Sequence, residues 1–170
     1  FDEIVTRVAE LKQQYQLHDT KLVLITNASM FHRPVVQRGL EILDRNQGEI
    51  WAKLDAGTAE YYHLIERTTI PFQQVLDNIL SAARIRPLVI QSLFMRVHGE
   101  PPTSEEIDAF CERLNEITSA RGRLKLVQIY TIARTPAESF VQPLGNSQVD
   151  ALAEQVRERT GLSVESYYGT

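Results

Sequence analysis

Apolar residues in this chain follow two spacings in turn. At 21–27, 49–55, 88–95 and 124–132 they run almost continuously and are rich in Val, Ile and Leu, the pattern of strands buried on both faces. Between these runs they recur every three or four positions, as on helices that pack along one side. Residues 3–16 predict a first helix with Ile4, Val8, Leu11 and Tyr15 on one face. Pro34 suits the first turn of a second helix, which carries Leu40 and Leu43 and stops near Asn46 or Gly48. Residues 58–65 predict two short turns, followed by a Thr-rich loop. Pro71 opens a helix with Val75, Leu76, Ile79 and Leu80 facing inward. Thr103 and Glu106 have capping-box spacing ahead of Ile107, Phe110, Cys111, Leu114 and Ile117, and Gly122 ends that helix. Asn146 is expected to cap a last helix (Val149, Leu152, Val156) that stops at Gly161, and 164–168 has the composition of a short final strand. Strands alternating with helices imply parallel βαβ units in a single α/β domain spanning 1–170.

The strand-like runs end on polar residues: Thr26 and Asn27 after the first, Lys53 and Asp55 after the second. In parallel α/β folds ligands sit at the carboxyl ends of the strands, so these residues fall where a ligand would be held. The order begins with a helix. Four confident strands cannot close an eight-stranded barrel, which needs roughly 250 residues. The first strand is therefore expected to present an open edge, a site for association with a partner or a second copy.

Composition narrows the class. Apolar residues make up 43% and the net charge is -4, so a disordered chain is excluded and a nucleic-acid surface is not indicated. No apolar run has the length of a membrane span, and no signal peptide is visible. The one cysteine, Cys111, allows no intrachain disulfide and fits a cytoplasmic origin. The chain opens on Phe1, which suggests processing or trimming.

Read in order, Leu24-Ile25-Thr26-Asn27-Ala28-Ser29, Lys53-Leu54-Asp55-Ala56, Ile90-Gln91-Ser92-Leu93-Phe94, Val127-Gln128-Ile129-Tyr130-Thr131 and Arg134-Thr135-Pro136-Ala137-Glu138 resemble the strand ends of a radical S-adenosylmethionine core domain, over its C-terminal part. The resemblance implies a partial, six-stranded parallel barrel. It also implies S-adenosylmethionine and a four-iron four-sulfur cluster as cofactors, with hydrogen abstraction by a deoxyadenosyl radical. The family's Cys-x-x-x-Cys-x-x-Cys loop and its Gly-Glu motif are not in their places. Residues 1–17 look like the helix after the family's second strand, so the chain would start about a third of the way into the domain and be inactive by itself. His98-Gly99-Glu100 imitates the Gly-Glu motif but reads as a loop leading to a helix.

The resemblance assigns cofactor contacts to Thr26, Asn27, Lys53, Asp55, Gln91 and Arg134, while the catalytic residues and the substrate stay unassigned. Each has a plainer alternative. Thr26 and Asn27 also suit a turn. Lys53 and Asp55 share a strand face and could pair with each other. Gln91 could bond a neighbouring strand. Gln128 and Tyr130 share a face and suit packing. Arg134 could hold a carboxylate or pair with Glu138. Cys111 lies on an apolar helix face as a packed thiol. Asp55, Glu60 and His63 lack a second histidine at ligand spacing, so no metal site is expected. Two functions of different class follow: a radical S-adenosylmethionine enzyme core, or a non-catalytic α/β module completed by a partner or by homodimerisation. An ordinary phosphate-sugar barrel enzyme is disfavoured by the missing phosphate loop.

Overall fold

The structure, a computed structural model, describes residues 1–169. Its elements run α1 (Asp2–Gln14), β1 (Leu22–Thr26), α2 (Pro34–Arg45), β2 (Gly48–Lys53), α3 (Ala59–Glu66), α4 (Phe72–Ile85), β3 (Leu88–Leu93), β4 (Met95–Val97), α5 (Ser104–Ser119), β5 (Leu124–Tyr130), β6 (Val141–Pro143), α6 (Asn146–Thr160) and β7 (Val164–Tyr167). Five strands form one sheet in the order β1-β2-β3-β5-β7, with every neighbouring pair parallel. Each strand is laid beside the last in one direction, and right-handed crossovers then carry the connecting helices to one face of the sheet.

Burial follows that geometry. Ile50, Ala52, Leu88, Ile90, Val127, Ile129 and Val164 point to the helix side, where they join Leu40, Val75, Ile79, Ile107, Leu114 and Val149 in one core. The alternate positions form an open face. There Val23 and Ile25 on the edge strand are 45% and 56% exposed. The middle of the open face covers itself. Val89, between its register neighbours Trp51 and Leu126, is 1% exposed.

Three features depart from the sequence pattern. The third apolar run divides: β3 stops at Leu93, and Met95–Val97 turns away to pair antiparallel with Val141–Pro143. A three-residue strand carries too few positions for period-two alternation to register. The cap of α6 is Gly145 rather than Asn146, which is the first helical residue. Helix α1 is rotated relative to its apolar stripe. Val5, Ala9 and Lys12 are buried, while Ile4, Val8 and Tyr15 are 68%, 42% and 66% exposed. Lys12 is buried by its stem and donates from its tip to the Asn46 carbonyl at 3.0 Å and to Gln47, which fixes α1 against the end of α2.

Candidate functional site

The carboxyl ends of β1, β2, β3 and β5 gather the polar residues. After β1 the chain makes a tight turn in which Ala28 takes a left-handed φ of 58°. Thr26 Oγ1 accepts from the Ala28 amide at 3.1 Å. Asn27 Oδ1 accepts from the Ser29 amide at 3.2 Å and from Ser29 Oγ at 2.8 Å. Both side chains therefore serve the turn, the plainer of their two roles, although Asn27 also lines the cavity described next. The turn is held from below by Asn78 of α4, whose buried amide donates to the Ala28 and Ser29 carbonyls. A lone Asn on an apolar helix face was the available signal for that anchor.

Lys53 and Asp55 come together. Lys53 Nζ lies 2.7 Å from Asp55 Oδ2 and donates to the Tyr130 hydroxyl at 2.9 Å. Asp55 Oδ1 accepts from the Leu93 amide at 2.7 Å, so this carboxylate ties the end of β2 to the end of β3. The Asp55 side chain is 3% exposed and that of Lys53 26%. Burial works against the Lys53 charge, but the attraction of Asp55 and hydrogen bonds to Asp55 and Tyr130 outweigh it and hold the ammonium above its ordinary pKa. Burial and the Asp55 charge push the Tyr130 phenol up.

Glu66, at the last turn of α3, completes the group. Burial, then a hydrogen bond to Asp55 and its charge, push Glu66 up to about 7. Two carboxylates thus face one ammonium, and the second holds its proton far above the usual carboxylate range, losing it as pH passes about 7. Asn27, Lys53, Asp55, Tyr62 and Glu66 enclose a space of about 10 Å³, room for one water and no more. Any larger ligand must lie against the open side of Lys53.

That open side is a row of amides. Register places Lys53 beside Gln91, Gln91 beside Gln128 and Gln128 beside Glu165. Gln91 donates to Gln128 Oε1 at 3.2 Å, Gln128 donates to the Tyr167 hydroxyl at 3.4 Å, and Tyr167 donates to Glu165 at 2.6 Å. The neighbouring-strand bond is therefore present for Gln91, and Gln128 and Tyr130 do more than pack. Ser92 points to the helix side and donates to the Leu54 carbonyl. Arg134 stands apart. It is exposed, and Glu138 pairs instead with Arg67 at 2.8 Å, so the Arg134–Glu138 bridge does not form.

Glu106 has a role its capping spacing concealed. Thr103 Oγ1 does accept from the Glu106 amide, but the Glu106 carboxylate reaches away from its helix to accept from the Gly57 and Thr58 amides and from Thr58 Oγ1 at 2.6 Å. Gly57 is required there: a Cβ would lie 2.1 Å from the Phe110 amide nitrogen. The start of α5 thereby clamps the start of α3, and with it Glu66. At the other end of the open face, Glu49 accepts from Lys125 at 2.6 Å, from Trp51 at 2.8 Å and from Lys21 at 3.2 Å. The Lys125 and Trp51 hydrogen bonds bring Glu49 down to about 2.

Cys111 is 3% exposed in the core on the helix side, and burial pushes its thiol up. Among the described residues no group of three or more acidic, His or Cys side chains is placed to hold a metal ion. None of their helices is long and apolar enough to cross a membrane. The fold and the strand-end cluster define an α/β protein with a parallel sheet. Compared with protein-family models and with curated proteins, the chain finds no match in either.

Proposed function

We propose that the chain forms part of the core of a radical S-adenosylmethionine enzyme, as a segment of a partial parallel barrel. In this reading Lys53, Asp55, Gln91 and Tyr130 supply one wall of the S-adenosylmethionine site. The observation that carries it is the row Lys53, Gln91, Gln128 at the strand carboxyl ends, on the open face, with the Lys53 ammonium held by Asp55 and Tyr130. An ammonium addresses a carboxylate, and amides address ribose hydroxyls. The donor set therefore fits as a wall for the amino-acid and ribose parts of the ligand. Support for a barrel segment comes from the one-directional strand order and from the self-covering middle of the open face.

Bound S-adenosylmethionine supplies, on reductive cleavage, a radical that abstracts hydrogen. The residues of this chain bind and orient. Lys53 stays charged, and Asp55 fixes both it and the β3 backbone. An iron–sulfur cluster does not fit these residues, because the one cysteine is packed in the core on the far side of the sheet.

Isothermal titration with S-adenosylmethionine tests the reading. Lys53→Met and Gln91→Ala, each checked for fold by circular dichroism, are expected to weaken binding about tenfold or more, the worth of a charge-assisted or buried hydrogen bond. Absence of heat at millimolar ligand, or binding indifferent to both substitutions, contradicts it.

One set of observations favours a second reading, a non-catalytic module completed by a partner or its own copy. The β1 edge is unpaired among the described residues, Val23 and Ile25 on it are exposed, and Ile4, Val8 and Tyr15 are exposed on α1. Such a surface invites strand addition and helix packing. No ligand heat, together with concentration-dependent dimerisation in sedimentation, supports this second reading over the first.

A further inference from the structure

A separate cavity of about 420 Å³ opens between α3 and the connection from β4 to α5. It lies at the carboxyl side of the sheet, outside the Lys53 cluster. Its floor and walls are the Tyr61 ring, Leu64, Val97, Pro101 and Pro102. The two prolines lose little side-chain entropy on contact. The walls are tied to each other, because Glu106 of α5 holds Gly57 and Thr58 at the start of α3. Volume, apolar lining and fixed walls are the attributes of a preformed small-molecule site.

The rim of this cavity has one sign of charge. Glu60, Glu100 and Glu105 border it and are exposed. Several other glutamates sit beside a cation, as Glu49, Glu116, Glu138 and Glu154 do. These three form no ion pair among the described residues. Hydrogen bonds from its own amide and from Thr103 keep Glu105 ionised. The basic groups nearby are engaged: His98 stacks on Phe140 at 4.7 Å, and Arg67 lies over the same ring at 5.2 Å while pairing with Glu138. The Tyr61 hydroxyl is buried under the floor and has no partner among the described residues. The tyrosine therefore offers the cavity its ring rather than its oxygen. An aromatic face within an acidic rim attracts organic cations.

We propose that this cavity binds a small organic ammonium with an apolar body, the body on Tyr61, Leu64, Val97 and the prolines and the cationic head among Glu60, Glu100 and Glu105. Anions and neutral isosteres lack the attraction of the rim. The site stands apart from the S-adenosylmethionine wall and does not depend on that reading.

Nuclear magnetic resonance titration of the full chain tests it with three probes of one shape: benzylammonium, benzyl alcohol and benzoate. Benzylammonium is expected to shift the Leu64 and Val97 methyls and to bind about tenfold tighter than benzyl alcohol, the sum of several exposed charge contacts. Benzoate is expected to bind weakest. The triple variant Glu60→Gln, Glu100→Gln, Glu105→Gln changes only exposed positions and is expected to erase the preference while leaving the fold intact. Tyr61→Leu is expected to weaken benzylammonium more than benzyl alcohol. Equal affinity for the cation and the alcohol, a preference that survives in the triple variant, or shifts confined to other parts of the molecule would overturn the proposal.

Discussion

Asp55 does three jobs at once: it neutralises Lys53, receives the Leu93 amide and, after burial, helps hold the proton on Glu66. Removing one member of a buried pair strands the other, at about 3–5 kcal/mol. Glu66 gives a pH signature. Its pKa, raised to about 7 from 4.5, means that between those values the folded chain keeps a proton the unfolded chain has released. The cost is absent below about pH 4.5, grows as pH rises, and is complete above about 7. Glu49 works in the opposite window: its contribution is present above 4.5 and lost as pH falls toward 2. Urea unfolding at pH 5 and pH 8 isolates the first effect. Glu66→Gln is expected to remove about 1 kcal/mol of the stability lost between those values, a figure reduced because the residue is partly exposed to solvent. Identical pH dependence in the variant would contradict the coupling. Lys53 and Asp55 were legible because strand alternation alone puts them on one face. Glu66 was not, because nothing in α3 itself shows how its last turn lies over β2. For Arg134 the structure removes the plainer alternative, a bridge to Glu138, because Arg67 takes that acid.

At the level of elements, spacing located the helices and the parallel strands but not which way α1 turns. Its Ile4–Val8–Leu11–Tyr15 row is as periodic as Val5–Ala9–Lys12, and periodicity does not distinguish a face that meets α2 from one left uncovered. Only the second row is buried. The outcome is testable by urea midpoint. Val5→Ala is expected to cost about 2 kcal/mol through lost packing, and Ile4→Ala to stay within about 0.5 kcal/mol of wild type. Equal losses at both positions would contradict the observed rotation. The clamp between α3 and α5 was equally hidden. Thr103 and Glu106 signalled a helix start correctly, but the Glu106 carboxylate is spent on Gly57 and Thr58, almost fifty residues away in sequence. Long-range partners of this kind leave no local pattern.

For the whole molecule, the parallel sheet follows from the alternation of apolar runs with helices, and the strand order accounts for the rest: one packed face, one open face, and polar strand ends at a single rim. The short β4–β6 ribbon and the acidic cavity beside it arise from loop geometry and had no counterpart in the apolar pattern. The central claim is that the rim formed by Lys53, Gln91 and Gln128 receives S-adenosylmethionine. Backbone and side-chain shift mapping during titration with that ligand tests it most directly. The account predicts the largest shifts at the Lys53, Gln91 and Gln128 signals, with the Glu49 cluster at the opposite end of the open face undisturbed. Shifts confined to α1 and β1, or none at saturating ligand, would contradict it.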